Sequence, residues 1–264
     1  MIASALALRG SKKMHKRLLI LGGTSEARNL ATQTIAYFKD NLSVLTSLAG
    51  VTNNPNNILG LVRRGGFGGA EGLEKFLIDQ KIDLLVDATH PFATRISKNA
   101  VKACNSYKIQ RLILKRPAWV PIHGDNWYKA NDLRQAASIL PLYGKVCFLT
   151  VGKQSISAFS QVSSVNFIVR LMETPNCPLS LNKHEIIIAR PPYQLDQDIL
   201  LLENKKIDIL VAKNSGGNDT YSKIVAARRL GLPVVMVSRP TSPPGKIVES
   251  VSDALSWLES KICT

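Results

Sequence analysis

The segment Leu18-Leu19-Ile20-Leu21-Gly22-Gly23-Thr24-Ser25-Glu26 determines the fold that the rest of the chain is expected to follow. Four apolar residues predict a buried strand, a glycine pair follows directly, and residues 26–38 carry apolar side chains at helical spacing. A strand, a glycine turn and a helix form a phosphate-binding loop, because glycine lets a ligand approach the backbone and free N–H groups open the helix. A tight turn capped by Thr24 or Ser25 is the alternative. The glycine pair directly after the first strand favours phosphate binding.

The rest of the chain alternates short apolar runs with amphipathic stretches, a pattern typical of βαβ units and mostly parallel sheets. Pro117, Pro121 and the polar turn at 123–126 indicate a domain boundary. We therefore predict an α/β fold of two doubly wound, Rossmann-like parallel-sheet domains with the active site in the cleft between them. Residues 1–14 are an N-terminal extension, 15–117 the dinucleotide-binding domain and 118–264 the substrate-binding domain.

The predicted strands are 18–21, 42–47, 58–62, 82–88, 112–114, 146–151, 166–171, 185–189, 207–212 and 234–237. The predicted helices are 26–38, 73–77, 96–104, 155–159, 195–203, 221–230 and 251–258.

Composition places the chain among globular proteins, since 45% of its residues are hydrophobic and 20% are charged. No apolar run approaches the roughly 20 residues that span a bilayer, so no membrane partner is expected. The four cysteines lack the spacing of zinc ligands and indicate free thiols in a reducing compartment. These features predict a cytoplasmic enzyme without a metal site.

The formal net charge of +15 indicates an anionic partner: a nucleic acid, a membrane surface or a negatively charged small molecule. Nucleic-acid-binding proteins usually combine basic stripes with aromatic residues, but aromatics make up only 6% here and the longest basic cluster is the N-terminal tail. Other cations follow predicted strands of the second half. One such residue would usually be a solvated surface cation, but four at equivalent positions favour an anionic ligand in the cleft. They are Lys153, Arg170, Arg190 and Lys213.

The predicted strand ends of the first half suit a dinucleotide. The second strand ends in Thr46-Ser47 without the acid that usually holds the ribose hydroxyls of NAD, so NADP is favoured, with Arg63 or Arg64 near its 2′-phosphate. The alternative is that both arginines face solvent. The run Gly65-Gly66-Phe67-Gly68-Gly69 is either a mobile surface loop or a lid or floor for a flat ligand, and the two remain equally open.

Two residues are candidates for acid–base chemistry. His90 lies in Asp87-Ala88-Thr89-His90-Pro91-Phe92, which ends a buried strand and either grips a cofactor or supplies a general acid or base. Helix capping by Thr89 or Thr94 is the structural alternative. Lys213 opens the segment Lys213-Asn214-Ser215-Gly216-Gly217 after an apolar strand, and is the candidate to stabilise developing charge or donate a proton.

Several enzyme classes lack their motifs. The chain has no GxxxxGK[ST], HExxH or GxSxG, and Tyr221-Ser222-Lys223 does not have the spacing of the short-chain dehydrogenase pair. Two rival functions remain at this point: an NADPH-sensing or nucleic-acid-associated Rossmann-like protein, and a nucleotide-sugar reductase or epimerase.

Six motifs occur in order from the first strand to Pro240. Each is weakly specific alone, but the ordered set is highly specific and closely resembles the precorrin-6A reductase family of cobalamin biosynthesis. They are Gly22-Gly23-Thr24-Ser25-Glu26-Ala27-Arg28, Ser47-Leu48-Ala49-Gly50, Gly65-Gly66-Phe67-Gly68-Gly69 with Gly72-Leu73, Asp87-Ala88-Thr89-His90-Pro91-Phe92-Ala93, Lys213-Asn214-Ser215-Gly216-Gly217 with Tyr221, Lys223, Ala226 and Ala227, and Leu230-Gly231-Leu232-Pro233.

The resemblance implies hydride transfer from NADPH to precorrin-6A or its cobalt form, a tetrapyrrole with many carboxylates, without metal or flavin and without a nucleic-acid partner. Two departures concern Val51, where relatives commonly have Arg, and Lys153, where they often have an Arg with its bidentate carboxylate contact. The expected catalytic residues are Lys213 and His90. The expected cofactor-binding residues are Gly22, Gly23, Thr24, Glu26, Ser47, Arg63, Gly66, Gly68, Asp87, Thr89 and His90. The expected substrate-binding residues are Lys153, Arg170, Arg190, Tyr193, Lys213, Ser215, Gly216, Gly217, Tyr221 and Lys223.

Overall fold

The computed structural model describes residues 15–50 and 59–262. The predicted extension at 1–14, Val51 and the first residue of the predicted strand 58–62 lie outside the described residues. Within them the predicted fold class is confirmed: the chain forms two six-stranded sheets with helices packed on both faces.

The first half contains five strands and three helices close to their predicted positions. The third strand begins later than predicted, at Leu61. The elements are β1 (Lys16–Leu21), α1 (Ser25–Phe38), β2 (Leu42–Leu48), β3 (Leu61–Arg64), α2 (Ala70–Asp79), β4 (Leu84–Asp87), α3 (Thr94–Ser106) and β5 (Gln110–Leu114).

The second half contains seven strands, of which five were predicted, and four helices, of which three were predicted. The predicted helix at 155–159 is a 3-10 helix over Lys153–Phe159, and two further short 3-10 helices cover Lys39–Asn41 and Leu140–Leu142. The elements are β6 (Trp127–Ala130), α4 (Leu133–Ile139), β7 (Val146–Thr150), β8 (Asn166–Leu171), β9 (His184–Ile188), α5 (Leu195–Asn204), β10 (Ile209–Lys213), α6 (Ser222–Arg229), β11 (Val234–Val237), β12 (Lys246–Val248) and α7 (Val251–Ile262).

All neighbouring strands in both sheets are parallel. The first sheet has the order β12-β5-β4-β1-β2-β3 and the second β6-β11-β10-β7-β8-β9. The chain order reverses beside β1 in one sheet and beside β7 in the other, and ligands of doubly wound sheets bind beyond the carboxyl ends of strands at such points. The two switch points therefore mark the edges where a site is expected.

One edge strand of the first sheet comes from the second half of the chain. The chain leaves β5 through residues 115–126, which we call the first crossing segment, and adds β6 to the edge of the second sheet. It returns from β11 through residues 238–245, the second crossing segment, and adds β12 beside β5 in the first sheet. β12 and α7, which fall within the predicted second domain at 118–264, therefore pack with the first sheet. β6 and β12 escaped prediction because four- and three-residue edge strands carry little periodic signal.

Side chains alternate between two apolar layers on each sheet. In β1, Leu18 and Ile20 pack with α1 and α7, whereas Leu19 and Leu21 pack with α2 and α3. Helix α7 belongs to the first sheet because Ala254, Trp257 and Leu258 lie in the same cluster as α1. Continuous burial on both faces explains why the central strands read as unbroken apolar runs. Among the described residues, no helix is both long and apolar enough to span a membrane.

Candidate active site

The loop between β1 and α1 has an open backbone. Gly22 donates its N–H to the Ser47 carbonyl at 2.9 Å, and a Cβ there would stand 3.1 Å from Thr46 Cγ2. Gly23 has a φ of 112° with nothing within 4 Å of the position of a Cβ, so the backbone is accessible on that side. Thr24 is the helix cap: its Oγ1 accepts from Ala27 N at 3.1 Å and donates to Ala88 O at 2.8 Å. The glycines can thus cradle a phosphate, while the Thr24 hydroxyl holds the loop in shape.

The glycine-rich loop after β3 is folded around Arg63. The guanidinium donates to Gly65 O at 2.6 Å, to Gly66 O at 2.7 Å and to Ser47 Oγ at 3.3 Å. It also stacks over the Phe67 ring with its carbon 3.9 Å from the ring centroid. The loop is therefore folded onto the ends of β2 and β3. Arg63 and Ser47, both predicted to bind the cofactor, lie together there.

Gly72 makes the return of this loop possible. A Cβ at Gly72, within α2, would lie 1.6 Å from the backbone oxygen of Phe67. We expect Gly72→Ala to lower the free energy of unfolding by about 2 kcal/mol, because an inserted methyl group that cannot be accommodated forces the backbone apart. Chemical denaturation measures the change. Gly66→Ala is the control, since nothing lies within 4 Å of that Cβ position. Equal losses in both variants would contradict this explanation.

The turn after β4 is organised by Asp87. Its Oδ1 accepts from Thr89 N at 3.2 Å and from Thr89 Oγ1 at 2.7 Å, while its Oδ2 is buried without a partner among the described residues. Two small pockets open beside this turn. One is lined in part by Asp87, Thr89, Ser97, Lys115 and Ser242, and the other by Thr24, Glu26, Thr89, Pro91, Leu114, Lys115 and Arg116.

The surroundings of His90 favour a neutral imidazole. Its Nδ1 accepts from Phe92 N at 3.2 Å, which favours the ring proton on Nε2. Burial, together with the positive charges of Arg116, Lys213, Lys223 and Arg239, lowers the pKa of His90 to about 3. A histidine with this pKa carries no transferable imidazolium proton near neutral pH. The four surrounding cations instead indicate a site for anions.

Lys213 meets the first half of the chain at this point. Its ammonium donates to Ser155 Oγ at 2.6 Å and lies 5.3 Å from the centroid of the Phe92 ring, which comes from the turn after β4. Burial lowers the pKa of Lys213 to about 8. The two predicted catalytic residues, Lys213 and His90, are therefore brought to the same place, and Lys213 has the pKa suited to proton donation near neutral pH.

Lys223 is the most enclosed of the cations. Its side chain is 5% exposed and its ammonium lies 5.7 Å from the centroid of the Trp119 ring, with no hydrogen-bond acceptor among the described residues. Burial lowers the pKa of Lys223 to about 7, the charges of Arg170 and Arg116 act in the same direction, and Asp198 opposes them. An incoming carboxylate would supply the missing acceptor.

The other cations at strand ends of the second half do not all lie at the site of His90 and Lys213. Arg170 is 7% exposed, pairs with Asp198 at 2.5 Å and lies under Tyr193 at 3.7 Å from the ring centroid. Asp198 also accepts from Ser222 Oγ at 2.6 Å, so Arg170, predicted to bind the substrate, belongs to an internal network. Arg190 pairs with Glu173 at 2.5 Å. Lys153 is exposed at the start of its 3-10 helix. Tyr193 covers Arg170 and donates its hydroxyl to Ala189 O at 3.1 Å.

The segment after β10 receives the first crossing segment. Cβ atoms at Gly216 and Gly217 would stand 2.0 Å from Pro117 O and 2.8 Å from Arg116 Cδ. Trp119 donates from Nε1 to Gly217 O at 2.9 Å and stacks on Tyr221 at 5.5 Å. Ser215, Gly216, Gly217 and Tyr221 thus lie at the junction between the two sheets, where they fix the chain that joins them.

Two residues of this junction were missed from the sequence. Arg116 donates from Nη1 to Glu26 at 2.7 Å and from Nε to Ser215 O at 2.8 Å, so it joins the start of α1 to the segment after β10. Arg239 donates to the carbonyls of Asn214, Arg116 and Pro117 at 2.7, 2.8 and 2.9 Å. The signal for Arg116 was its place two residues after a buried strand. Arg239 likewise lies two residues after β11, but a carbonyl-binding role leaves no sequence pattern.

The edge formed by β1, β4 and β5 fits a nicotinamide dinucleotide. The open backbone at Gly23 suits a diphosphate. Oδ2 of Asp87 has no hydrogen-bond partner among the described residues and could accept a hydrogen bond from a ligand. The cations around His90 supply positive charge between the two sheets. In the described part of the chain, no three His, Cys, Asp or Glu side chains group closely enough to hold a metal ion.

Comparison with known proteins gives concordant matches. The family model described as Precorrin-6x reductase CbiJ/CobK matches residues 17–259. A Precorrin-6A reductase of Rhodococcus erythropolis is 41% identical over 92% of this chain and 97% of its own. A Cobalt-precorrin-6A reductase of Priestia megaterium is 26% identical over 91% of this chain and 97% of its own. The solved structure of CobK precorrin-6A reductase has a TM-score of 0.87 and 38% identity, covering 93% of this chain and 96% of that chain.

Proposed function

The chain belongs to the precorrin-6x reductase (CbiJ/CobK) family, and we propose that it reduces precorrin-6A in cobalamin biosynthesis with NADPH as the hydride donor. It is an oxidoreductase that acts on the tetrapyrrole macrocycle. The observation that carries the assignment of the site is the group of four cations around the neutral His90, where the first sheet meets Lys213 of the second. Both an anionic cofactor and a polycarboxylate substrate require such a positive surface.

The residues of the first sheet would hold the cofactor. We assign the diphosphate to the backbone of Gly22 and Gly23 at the start of α1. Support for NADPH rather than NADH is the absence of an acid at the end of β2, where Ser47 and Arg63 lie 3.3 Å apart. NADPH supplies a hydride when it is bound at this edge. Arg116 and Glu26, linked at 2.7 Å, set the distance between this edge and the segment after β10.

The residues of the second sheet would orient the substrate. Lys223 and Lys213 are enclosed cations that suit macrocycle carboxylates, and the exposed Lys153 suits a carboxylate at the rim. Hydride addition to a conjugated ring leaves an electron pair that a proton must neutralise, so each reduction takes up one hydride and one proton. Lys213 would stabilise this charge and donate the proton, since burial lowers its pKa to about 8. His90, which is neutral, would orient rather than donate.

We propose the metal-free macrocycle as the substrate. The Rhodococcus relative, named for precorrin-6A, is 41% identical, whereas the Priestia relative, named for the cobalt form, is 26% identical. The expected cytoplasmic location agrees with reductive chemistry on a diffusible intermediate.

Incubation of the protein with NADPH and precorrin-6A tests the function. We expect the absorbance of NADPH to fall together with the change in the macrocycle spectrum, and a slower reaction with cobalt-precorrin-6A. NADH in place of NADPH should raise KM. Failure to oxidise NADPH with either macrocycle would refute the proposed function, and faster turnover of the cobalt form would refute only the choice of substrate.

The pH dependence should separate two lysines. Hydride transfer in single turnover is expected to slow as pH rises through about 8, because burial lowers the pKa of Lys213 to about 8 and its proton is lost above that pH. KM for the macrocycle should begin to rise near pH 7, because Lys223, with a pKa of about 7, loses its charge there. In Lys213→Arg the decline near pH 8 should be absent, since a guanidinium stays charged. Persistence of that decline in the variant would assign it to another group.

A further inference from the structure

We propose that the buried carboxylate of Asp87 forms the acceptor side of a subsite for a primary carboxamide, and that the carboxamide of the nicotinamide ring occupies it. This inference rests on the proposed function, because it names the part of the cofactor that the pocket beside Asp87 would recognise. It adds a specificity-determining contact to the edge already described.

The pocket lies at the carboxyl ends of β4 and β5, beside the first turn of α3. Its lining includes Asp87 and Thr89 from the turn after β4, Ser97 from α3, and Lys115 from the first crossing segment. Ser242 of the second crossing segment also lines it. The pocket is therefore formed by both crossing segments together with the first sheet.

Asp87 is incompletely satisfied in this pocket. It is 2% exposed, and both hydrogen bonds from Thr89 go to Oδ1. Oδ2 is buried and has no hydrogen-bond partner in the described part of the chain. Buried carboxylate oxygens in folded proteins are nearly always hydrogen-bonded, so Oδ2 is suited to accept from an N–H group of a ligand.

Lys115 supplies the donor that the same ligand would need. Its ammonium donates to Ser242 Oγ at 2.6 Å, and this contact closes the pocket over Asp87. Burial lowers the pKa of Lys115 and the charge of Arg239 acts in the same direction, while the carboxylate of Asp87 acts against both. An entering carbonyl oxygen can replace Ser242 as the acceptor for Lys115. A primary carboxamide carries both the N–H donor and the carbonyl acceptor on one carbon, and so matches Asp87 and Lys115 together.

The polarity of the lining favours an amide over an ion as the ligand. Asp87 and Lys115 present a carboxylate and an ammonium to the same pocket, so a neutral group with one donor and one acceptor meets both, whereas a carboxylate or a phosphate would pair with Lys115 and leave Oδ2 of Asp87 without a donor. The second pocket of this edge shares Thr89 and Lys115 with the first and is also lined by Thr24 and Glu26 of the phosphate loop. The two pockets are therefore adjacent at the edge to which the dinucleotide is assigned.

The test compares the binding of NADPH with that of its reduced 3-acetylpyridine analogue, which keeps the carbonyl but lacks the amide N–H. Dissociation constants come from cofactor fluorescence without substrate. The wild-type protein should bind NADPH about tenfold more tightly, the effect of one hydrogen bond to a charged acceptor. In Asp87→Asn the preference for NADPH should nearly vanish. The oxygen of the asparagine side chain can still accept the two hydrogen bonds from Thr89, but its NH2 group, in place of Oδ2, cannot accept one from the ligand.

Asp83→Asn is the matched control, since Asp83 precedes the opposite end of β4 and accepts from Arg17 N at 2.7 Å. This variant should keep the tenfold preference, and thermal melting of both variants shows whether the fold is intact. The carboxamide site would be overturned if folded Asp87→Asn kept the preference for NADPH over the analogue. It would also be overturned if the wild-type protein showed no such preference. If the wild type binds neither dinucleotide, the proposed function itself fails.

Discussion

Replacing Lys213 with alanine is expected to slow hydride transfer to precorrin-6A by about 100-fold or more, the usual effect of removing one group that stabilises developing charge or donates a proton. The ammonium lies 2.6 Å from Ser155 Oγ and faces Phe92 from the other half of the chain, so the variant loses a positive charge beside the turn after β4. Single-turnover absorbance of NADPH measures the step directly. NADPH affinity should change little, because Lys213 belongs to the second sheet.

Lys213→Arg separates the two roles of this residue. Arginine keeps the positive field but does not release a proton near neutral pH, so a rate close to that of Lys213→Ala would indicate proton donation. A rate close to the wild type would indicate that charge alone is needed. Lys145→Ala, an exposed lysine before the amino end of β7, is the control and should react normally. An unchanged rate in Lys213→Ala would remove Lys213 from the mechanism.

Replacing Gly216 with alanine is expected to cost about 3 kcal/mol of unfolding free energy, the sum of an unfavourable φ and an unaccommodated methyl group. Its φ is 65°, and a Cβ would lie 2.0 Å from Pro117 O and 2.4 Å from Arg239 Nη2. The methyl group would thus displace the first crossing segment and one of the three carbonyl contacts of Arg239. We expect KM for both NADPH and the macrocycle to rise, because this contact sets the position of the two sheets.

Gly231→Ala is the matched control for the part of the lost unfolding free energy that comes from the unfavourable φ. Gly231 has a φ of 64°, almost the same as Gly216, but nothing lies within 4 Å of its Cβ position. Chemical denaturation should therefore give a loss of only about 1 kcal/mol for this variant. Similar losses in the two variants would show that the conformation at Gly216, and not its contact with the crossing segment, explains the requirement for glycine.

The central architecture was predictable from sequence because buried parallel strands and amphipathic helices each leave a strong periodic pattern. β8 (Asn166–Leu171) and β11 (Val234–Val237) were predicted to the residue for this reason. The edge strands β6 and β12 were not, since Trp127–Ala130 has four residues and Lys246–Val248 only three, of which the first two are exposed. Which sheet accepts an edge strand depends on the path of the chain, and local sequence does not specify that path.

The candidate site was predictable where a residue follows a buried strand, as for Lys213 and the turn after β4. The same rule does not reveal the buried partner of Arg170, because Asp198 is 28 residues away along the chain. The position of His90 after β4 was predictable, but its low pKa depends on burial and on four cations from distant parts of the chain. Charge state is a property of tertiary surroundings, and so it required the structure.

The position of β12 and α7 has a consequence for how this polypeptide can be divided. A break within the first crossing segment would leave one fragment without β12 and α7 and the other with a strand and a helix that pack on the first sheet. The second fragment would keep all six strands of its own sheet, β6 to β11, whereas the first would lose an edge strand and a helix. We therefore expect the first fragment to require the second for folding, while the second sheet could form from its own sequence.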